Sequence, residues 1–358
     1  MIRYFWIWFV ILFSSCIDEI QVNLPEASEQ QKVVEGYVER DQNNYIFWGQ
    51  VSLTQDATGT FHPEPIGANM TVLYDGDIQI PITEGVVMKI PIQEFHDRFG
   101  GSTDAPTFRM MAELNGDRYI SAEQTIIDVP KADSLSVQVE VRPELTASEN
   151  IVNNEYVKLL VHSPILNDND QLVSLSWQVS STFEFVEGTR SSPTYQVKTC
   201  YSTYNVYQND INIVGIQDYP GKNRISNFEI AETPNDFRFS IGLYFTVIQK
   251  SLNQDAIEFW KEVKASNERT GNIYDVFPGR IRTNFTNESN PSEIVNGFFQ
   301  ASDVDTIRLK VNPQMVGYPR QRCELWMEPI IISPDDPDPC LNCLKLANST
   351  LTRPRYWK

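Results

Sequence analysis

The residues in this chain whose type and spacing could do chemistry are first its cysteines, five in 358 residues. Cys16 directly follows Ser14 and Ser15. These follow a nearly unbroken apolar run from Tyr4 to Phe13, with Arg3 ahead of it. A basic start, a short apolar stretch and small residues before a cut make a secretory signal. The run is shorter than the roughly 20 apolar residues that span a bilayer. A cysteine right after the small pair predicts that residues 1–15 are a lipoprotein signal peptide and that the Cys16 sulfur is acylated. Each buried acyl CH2 contributes about 0.8 kcal/mol, so one chain holds weakly and several hold durably. Gln21 to Lys32 is mostly polar with no apolar period, and residues 16–32 are expected to be a lipidated flexible tether.

Cys200, Cys323, Cys340 and Cys343 remain. An even number in an exported chain predicts two disulfides, with three pairings open. Cys340 and Cys343 form a Cys-x-x-Cys, which in the cytosol would raise zinc or redox chemistry. No second close cysteine pair and no His-x-x-x-His accompanies it, so structural bridging is the reading adopted. Of the three histidines, His62, His96 and His162, none lies in a His-Glu-x-x-His, and His162 is read as structural. Neither a Gly-x-Ser-x-Gly elbow nor a phosphate-cradling Gly-x-x-x-x-Gly-Lys occurs. Carboxylates are many, but no two stand out as a glycosidase pair, and a solvated acidic surface is expected. Asp335, Asp336 and Asp338 offer oxygen ligands of the kind calcium takes, in a spacing that fits no EF-hand. The chain is therefore expected to be no enzyme, with no catalytic residues, no metal and no cofactor.

The elements that must position these residues read as strands. Hydrophobic residues make up 41% and aromatics 11%, enough to bury sizeable cores. Cutting before Cys16 removes only Arg3 and takes the net charge from −18 to −19. Nucleic acid, which requires a basic face, is not an expected partner. Over residues 33–130, Val33–Val38, Tyr45–Leu53, Met70–Tyr74, Ile78–Ile82, Phe108–Leu114 and Arg118–Ile127 are β-rich. Asp75-Gly76 and Asn115-Gly116 supply hairpin turns, and Gln93–Asp104 reads as a loop. This is an N-terminal β-sandwich domain, with a boundary near Val129-Pro130.

Residues 131–332 form a second β-rich domain. Apolar and polar residues alternate at 137–142, 157–161 and 173–180, and Phe237 to Val247 is the longest such run. Strands are also expected at Ile294–Phe299 and Thr306–Val311. One helix interrupts, near residues 252–270, with Leu252, Ala256, Phe259, Trp260 and Val263 on one face. Ser251 or Asn253 caps its start, and Gly271 lies where a stop belongs. Phe259 and Trp260 are expected to pack on a sheet rather than stack on a ligand. Tyr201, Tyr204 and Tyr207 are likewise read as core. Residues 333–358 form a Cys/Pro-rich tail whose terminal aromatics dock the chain end. The fold class is mainly β, with two β-sandwich (Ig-like) domains and one inserted helix.

Several stretches together resemble a Bacteroidota outer-membrane lipoprotein family, the domain of unknown function 4249. They are Val33-Val34-Glu35-Gly36, Ile257–Lys261, Gly271–Asp275 with Pro278, Ile294–Phe299, Cys340-Leu341-Asn342-Cys343 and the closing Pro354-Arg355-Tyr356-Trp357. Asn342 stands where an acidic residue is usual. Asp18-Glu19, just past Cys16, resembles the surface-export signal of such lipoproteins. Asp133-Ser134-Leu135 and Asp305-Thr306-Ile307 look like their O-glycosylation motif. The resemblance implies a protein held to the cell outer membrane by its lipid anchor, facing the exterior, made beside a TonB-dependent transporter. It supplies no catalytic residues. The expected function is a non-catalytic binding or accessory partner of that transporter in nutrient uptake. A structural or adhesive surface module is the alternative, and a glycan- or peptide-processing enzyme ranks third.

Overall fold

A computed structural model describes residues 30–54, 64–76, 78–100, 105–188, 197–206, 211–268, 281–323 and 338–358. Its first part runs β1 (Lys32–Arg40), β2 (Asn44–Leu53), β3 (Asn69–Tyr74), β4 (Ile78–Ile82), β5 (Met88–Pro91), helix α1 (Ile92–Phe99), β6 (Thr107–Leu114), β7 (Asp117–Ser121) and β8 (Gln124–Thr125). There follow β9 (Ser134–Leu145), β10 (Ile151–Pro164), β11 (Ser174–Val186), β12 (Thr199–Asn205), β13 (Ile213–Val214), β14 (Arg224–Pro234) and β15 (Leu243–Leu252). Helix α2 (Gln254–Asn267), β16 (Phe285–Asn287), β17 (Phe299–Val311) and β18 (Ser349–Thr350) complete the order. The chain is mainly β, as its alternation predicts.

The strands form three sheets. A nine-stranded sheet has the order β18-β12-β11-β15-β17-β1-β2-β5, with β13 also on β11. A six-stranded sheet (β16-β7-β6-β3-β4, with β8 on β6) and a three-stranded sheet (β14-β10-β9) complete the set. The six-stranded sheet and the β1–β2 end of the long sheet enclose one core, which includes Val34, Phe47, Val72, Phe108 and Phe299. The three-stranded sheet and the β11–β15 end enclose the other, which includes Val157, Trp177, Phe183, Phe245 and Val311. Two sandwiches thus share one sheet.

The turn chemistry explains the hairpins. Asp75 and Gly76 (φ 44° and 93°) and Asn115 and Gly116 (φ 53° and 91°) are all left-handed. At Asn115-Gly116, between the paired Leu114 and Asp117, this is the two-residue turn whose twist matches that of the flanking strands. Gly36 and Gly49 face each other across β1 and β2, and a Cβ on Gly36 would meet the Met110 sulfur at 2.3 Å. Glycine here makes room for a side chain from the opposite sheet.

Four expectations change. The expected loop Gln93–Asp104 begins instead with α1. Ile92, Phe95 and Phe99 fall on one face, Phe95 is fully buried, and Gly100 (φ 62°) ends the helix. The long run from Phe237 is not one strand. Asp236 accepts the Arg238 N–H at 3.0 Å, Phe237–Phe239 make a 3-10 turn, and the strand starts at Leu243. Phe239 still reaches the core, so burial satisfies the alternation without a strand. The expected strands at Ile294–Phe299 and Thr306–Val311 become one, β17, with Ile294–Phe298 leading into it. Finally, Phe285, Val295, Phe299 and Ala301 fall within the expected unit 131–332 yet pack into the first core.

The last change follows from pairing. β1 lies parallel to β17, Gly36 opposite Phe299 and Arg40 opposite Asp303. Parallel neighbours need a long crossover, and here the whole middle of the chain supplies it. The crossing segment near Pro130 is clamped where it passes β17. Asp303 accepts the Val129 N–H at 2.9 Å, and Asp305 accepts the Ala132 N–H at 3.2 Å. Gln249 donates to the Pro130 carbonyl at 2.6 Å and accepts the Trp177 indole N–H at 2.8 Å. Arg40 donates to Asp303 at 2.8 Å and also meets Asp128. Against the effect of burial, these carboxylates hold the Arg40 guanidinium above its ordinary value.

Candidate functional site

The outer face of the long sheet carries the side chains that point away from both cores. Residues alternate between faces along a strand, so Ser176, Gln178 and Ser180 of β11 share the outer face with Ile248 and Lys250 of β15. Register places Ser176 opposite Lys250 and Gln178 opposite Ile248. Farther along, Tyr37 lies between Gln300 on one side and Trp48 on the other. Helix α2 crosses above this face. The Asn253 side chain accepts the Ala256 N–H at 2.9 Å and caps its start. Ala256 and Ile257 are buried, and Phe259 stacks on Phe298 at 4.4 Å. The helix is thereby fixed with Trp260 over the sheet.

Between helix and sheet is an open trough of about 360 Å³, at the lower end of the roughly 300–1,000 Å³ usual for ligand pockets. Its floor is Ser176, Gln178, Ser180 and Ile248; Trp260 and Asn205 flank it. The indole is held in place. Its N–H donates to the Gln300 side-chain oxygen at 2.7 Å, and Gln300 donates in turn to Ser302 Oγ at 2.7 Å. Such a relay fixes the ring plane before any ligand arrives. Among the described residues Lys250 is the one charged residue in the lining, and Glu39 on β1 pairs with it. Both side chains are largely buried, at 12% and 13% exposure. Tyr37 stacks on Trp48 at 5.5 Å beside them. Burial, and then Glu39, push the Tyr37 hydroxyl up from its ordinary value. The lining is thus neutral in a chain of net charge −18. Among the described residues it holds no carboxylate, histidine or cysteine.

Apart from Trp260, the described residues singled out in the sequence fall elsewhere. Cys16, its neighbours Asp18 and Glu19, His62, Tyr207, Gly271–Pro278, Asp335 and Asp336 lie outside the described residues. Cys200 bridges to Cys343 and Cys323 to Cys340, so the Cys-x-x-Cys reaches two different partners. The buried Glu187 accepts the Cys343 N–H at 3.0 Å and the Lys198 N–H at 3.1 Å, fixing that turn. Asp338 accepts the Cys340 N–H at 3.0 Å. His162 contacts Ser136 Oγ at 3.1 Å within its sheet. Tyr204 stacks on Phe183, and Tyr201 meets Trp357. Among the described residues no three metal-ligating side chains converge, and no helix is long and apolar enough to cross a membrane.

At the start of β1, Lys32 donates to the Tyr119 hydroxyl at 2.5 Å and to Glu293 at 2.9 Å. The Tyr119 contact, with Glu293 behind it, holds the ammonium above its ordinary value against burial. One residue earlier, Gln31 is tied to Thr54 and Asn296, so the described chain is held from its start.

The trough was not legible as a site. The polar half of the 173–180 alternation marks its floor, but such a pattern marks any sheet face turned to water. Trp260 was expected to pack on the sheet; it reaches it through a hydrogen bond to Gln300 and also lines the trough.

A search among curated proteins finds no match for the chain. Comparison with protein families matches residues 17–308, which leaves Cys340–Cys343 and the closing aromatics beyond the matched range. Covering most of the chain, that match shows that the protein belongs to the family described as domain of unknown function DUF4249.

Proposed function

We propose that this protein is a non-catalytic binding lipoprotein. It is anchored through acylated Cys16 in the cell outer membrane, faces the exterior, and serves a TonB-dependent transporter in nutrient uptake. The observation that carries the binding half is the trough, with a pre-oriented indole on one side and unionised amides and hydroxyls on the floor. Pre-orientation lowers the cost of binding, because the receiving groups have already lost their freedom. A hydrolytic site would need a nucleophile with an acid–base partner converging on it; the described lining has Ser176 and Ser180 but no histidine or carboxylate, and its Lys250 is paired with Glu39. The anchoring half is supported by the apolar run, small pair and Cys16, together with the polar stretch that ends at the Lys32 clasp. The transporter half rests on the export-like Asp18-Glu19 pair and the resemblance described for the sequence.

The direct test is purification of the native protein from detergent-solubilised outer membrane. A TonB-dependent transporter is expected in stoichiometric amount, together with palmitate label that Cys16→Ser abolishes. Recovery of the wild-type protein alone and unlabelled would overturn the reading. A structural or adhesive module is the second reading. The β9–β10 hairpin favours it, because its outer end exposes Val141, Leu145 and Ile151.

A further inference from the structure

The chemistry of the trough names the class of ligand it suits, an inference that rests on the binding reading above. We infer that it takes a neutral, polyhydroxylated ring, a sugar unit of an oligosaccharide, with one ring face against Trp260 and its hydroxyls on Gln178 and Ser180.

Three observations lead there. First, charge: among the described lining residues the one charged group, Lys250, is paired with Glu39, so neither sign of ionic ligand meets an uncompensated partner there. Burying a charged group against such a surface would cost desolvation with nothing to offset it. Second, the indole: Trp260 lines the trough with its N–H already engaged by Gln300, so it meets a ligand through its carbon ring and not as a hydrogen-bond donor. A π face attracts the weakly positive C–H groups on one side of a pyranose ring, as it attracts the edges of other rings. Third, the polar groups: Gln178 is exposed and has no side-chain partner among the described residues, and the Ser180 hydroxyl lies one outward step along β11. An amide and a hydroxyl each donate and accept, which suits ring hydroxyls that also do both.

The position of the trough argues against an extended peptide. Peptides that add to sheets bind along an open strand edge, through backbone hydrogen bonds. This trough lies on the face of β11 and β15, whose edges are already paired on both sides. The volume of about 360 Å³ is small, so one or two sugar units would be held and the rest of a chain would run out over the sheet.

The test is calorimetry on the purified full mature chain, with maltohexaose, cellohexaose and mannohexaose as neutral probes. Hexagalacturonate and hexaglycine serve as charged and peptide probes. At least one neutral hexasaccharide is expected to bind, with affinity unchanged between 50 and 500 mM salt as about zero net charge implies. Trp260→Ala is expected to weaken it at least about tenfold, equivalent to 1.4 kcal/mol. Trp260→Phe should restore most of the affinity, and Gln178→Ala, at an exposed position that does not threaten folding, should weaken it several-fold. Binding of none of the three neutral probes, tighter binding of hexagalacturonate or hexaglycine, or affinity untouched by both Trp260→Ala and Gln178→Ala would overturn the inference. Transporter co-purification is measured separately. A protein that keeps its transporter but binds no sugar sinks the ligand class alone.

Discussion

The two cores are closed by different means. The first is closed by local aromatic packing: Tyr45 on Phe95 at 4.2 Å, Tyr74 on Phe95 at 4.9 Å, and Tyr74 stacked on Phe108 at 5.2 Å. None of the four bridging cysteines is in it. The second holds fewer stacked rings and is closed by covalent bonds and by a returning tail. Cys200 and Cys343, both fully buried, join residues 143 apart. The bridged tail then adds β18 to β12 through only two residue pairs, too few to hold a strand in water unaided. What the difference teaches is that a returning segment needs a bridge only where little else holds it. Phe285, Phe299 and Ala301 come back to the first core on strands paired with β7 and β1, whereas β18 has two residue pairs and a bridge that limits the freedom it has to lose.

The largest effect is expected from removing the ring on which the first core converges. Phe95 is the buried residue of α1 and is fully covered. Phe95→Ala should destabilise by about 3–5 kcal/mol, as large cavities in aromatic cores do, read as a lowered midpoint in urea unfolding. Reduction with dithiothreitol should not enlarge that loss by more than it lowers the wild type. If Phe95→Ala cost less than about 1 kcal/mol, aromatic packing would not be what closes this core.

Replacing Cys200 and Cys343 together by Ser comes next, with an expected loss of about 2–5 kcal/mol. Reduction of the wild type, which also opens Cys323–Cys340, should cost at least as much. A second signature sharpens the comparison. Amide exchange should rise first at Tyr201 and Ser202, which pair with β18, while Val72 and Phe108 in the first core stay protected. Equal loosening of both cores would break the contrast.

A smaller effect is expected at the chain end. Trp357 sits at 6% exposure, 5.1 Å from Tyr201 and 4.8 Å from Tyr244, and the Lys358 N–H donates to the Tyr244 hydroxyl at 3.3 Å. Two aromatic pairs are worth about 1–3 kcal/mol. Trp357→Ala should lose about that much in thermal unfolding and leave both bridges formed by thiol titration. Exposure of a free thiol in the variant would mean that the latch, and not the bridge, holds the tail.

These elements differ in how far the sequence revealed them. The hairpins at Asp75-Gly76 and Asn115-Gly116 were legible because turn geometry is local. So was the cap of α2, narrowed from Ser251 or Asn253 to Asn253. Docking of the terminal aromatics was also legible. Helix α1 was not, because eight residues with one buried ring carry little period. The strand that joins the cores was not either. Phe299–Val311 reads as two short runs, and its parallel pairing with β1 depends on residues some 260 positions away. The disulfide pairing stayed open among three choices for the same reason: only the sheet brings Cys200 to Cys343. Trp260 was visible as part of a helix face, but the trough beneath it is made by register, and register is not written in any one segment.

The smallest effect concerns a third means of closure, a charged ladder over the second core, more tightly paired than the Arg118–Glu113–Glu288 set over the first. On the outer face of the three-stranded sheet, Arg142 bridges Glu140 at 2.7 Å and Glu232 at 2.5 Å. Lys158 joins Glu140 at 2.5 Å to Glu229 at 3.0 Å. Arg142, and then Lys158, lower the Glu140 carboxyl from the ordinary 4.5 to about 2. Tyr156 and Asn154 lower Glu144 as well. A carboxyl lowered on folding contributes stability that is fully present above its unfolded value and is lost as pH falls through its folded value. The contribution of Glu140 should therefore disappear between about pH 4.5 and pH 2. Other carboxylates titrate over the same range, so the informative quantity is a difference. Glu140→Gln should be less stable than wild type at pH 6, and the gap should close by pH 2. Because the network is exposed, 0.5 M salt should shrink that gap. A gap that stayed constant from pH 6 to pH 2 would mean that the side chain acts by packing, and the charged ladder would then have no part in closing the second core.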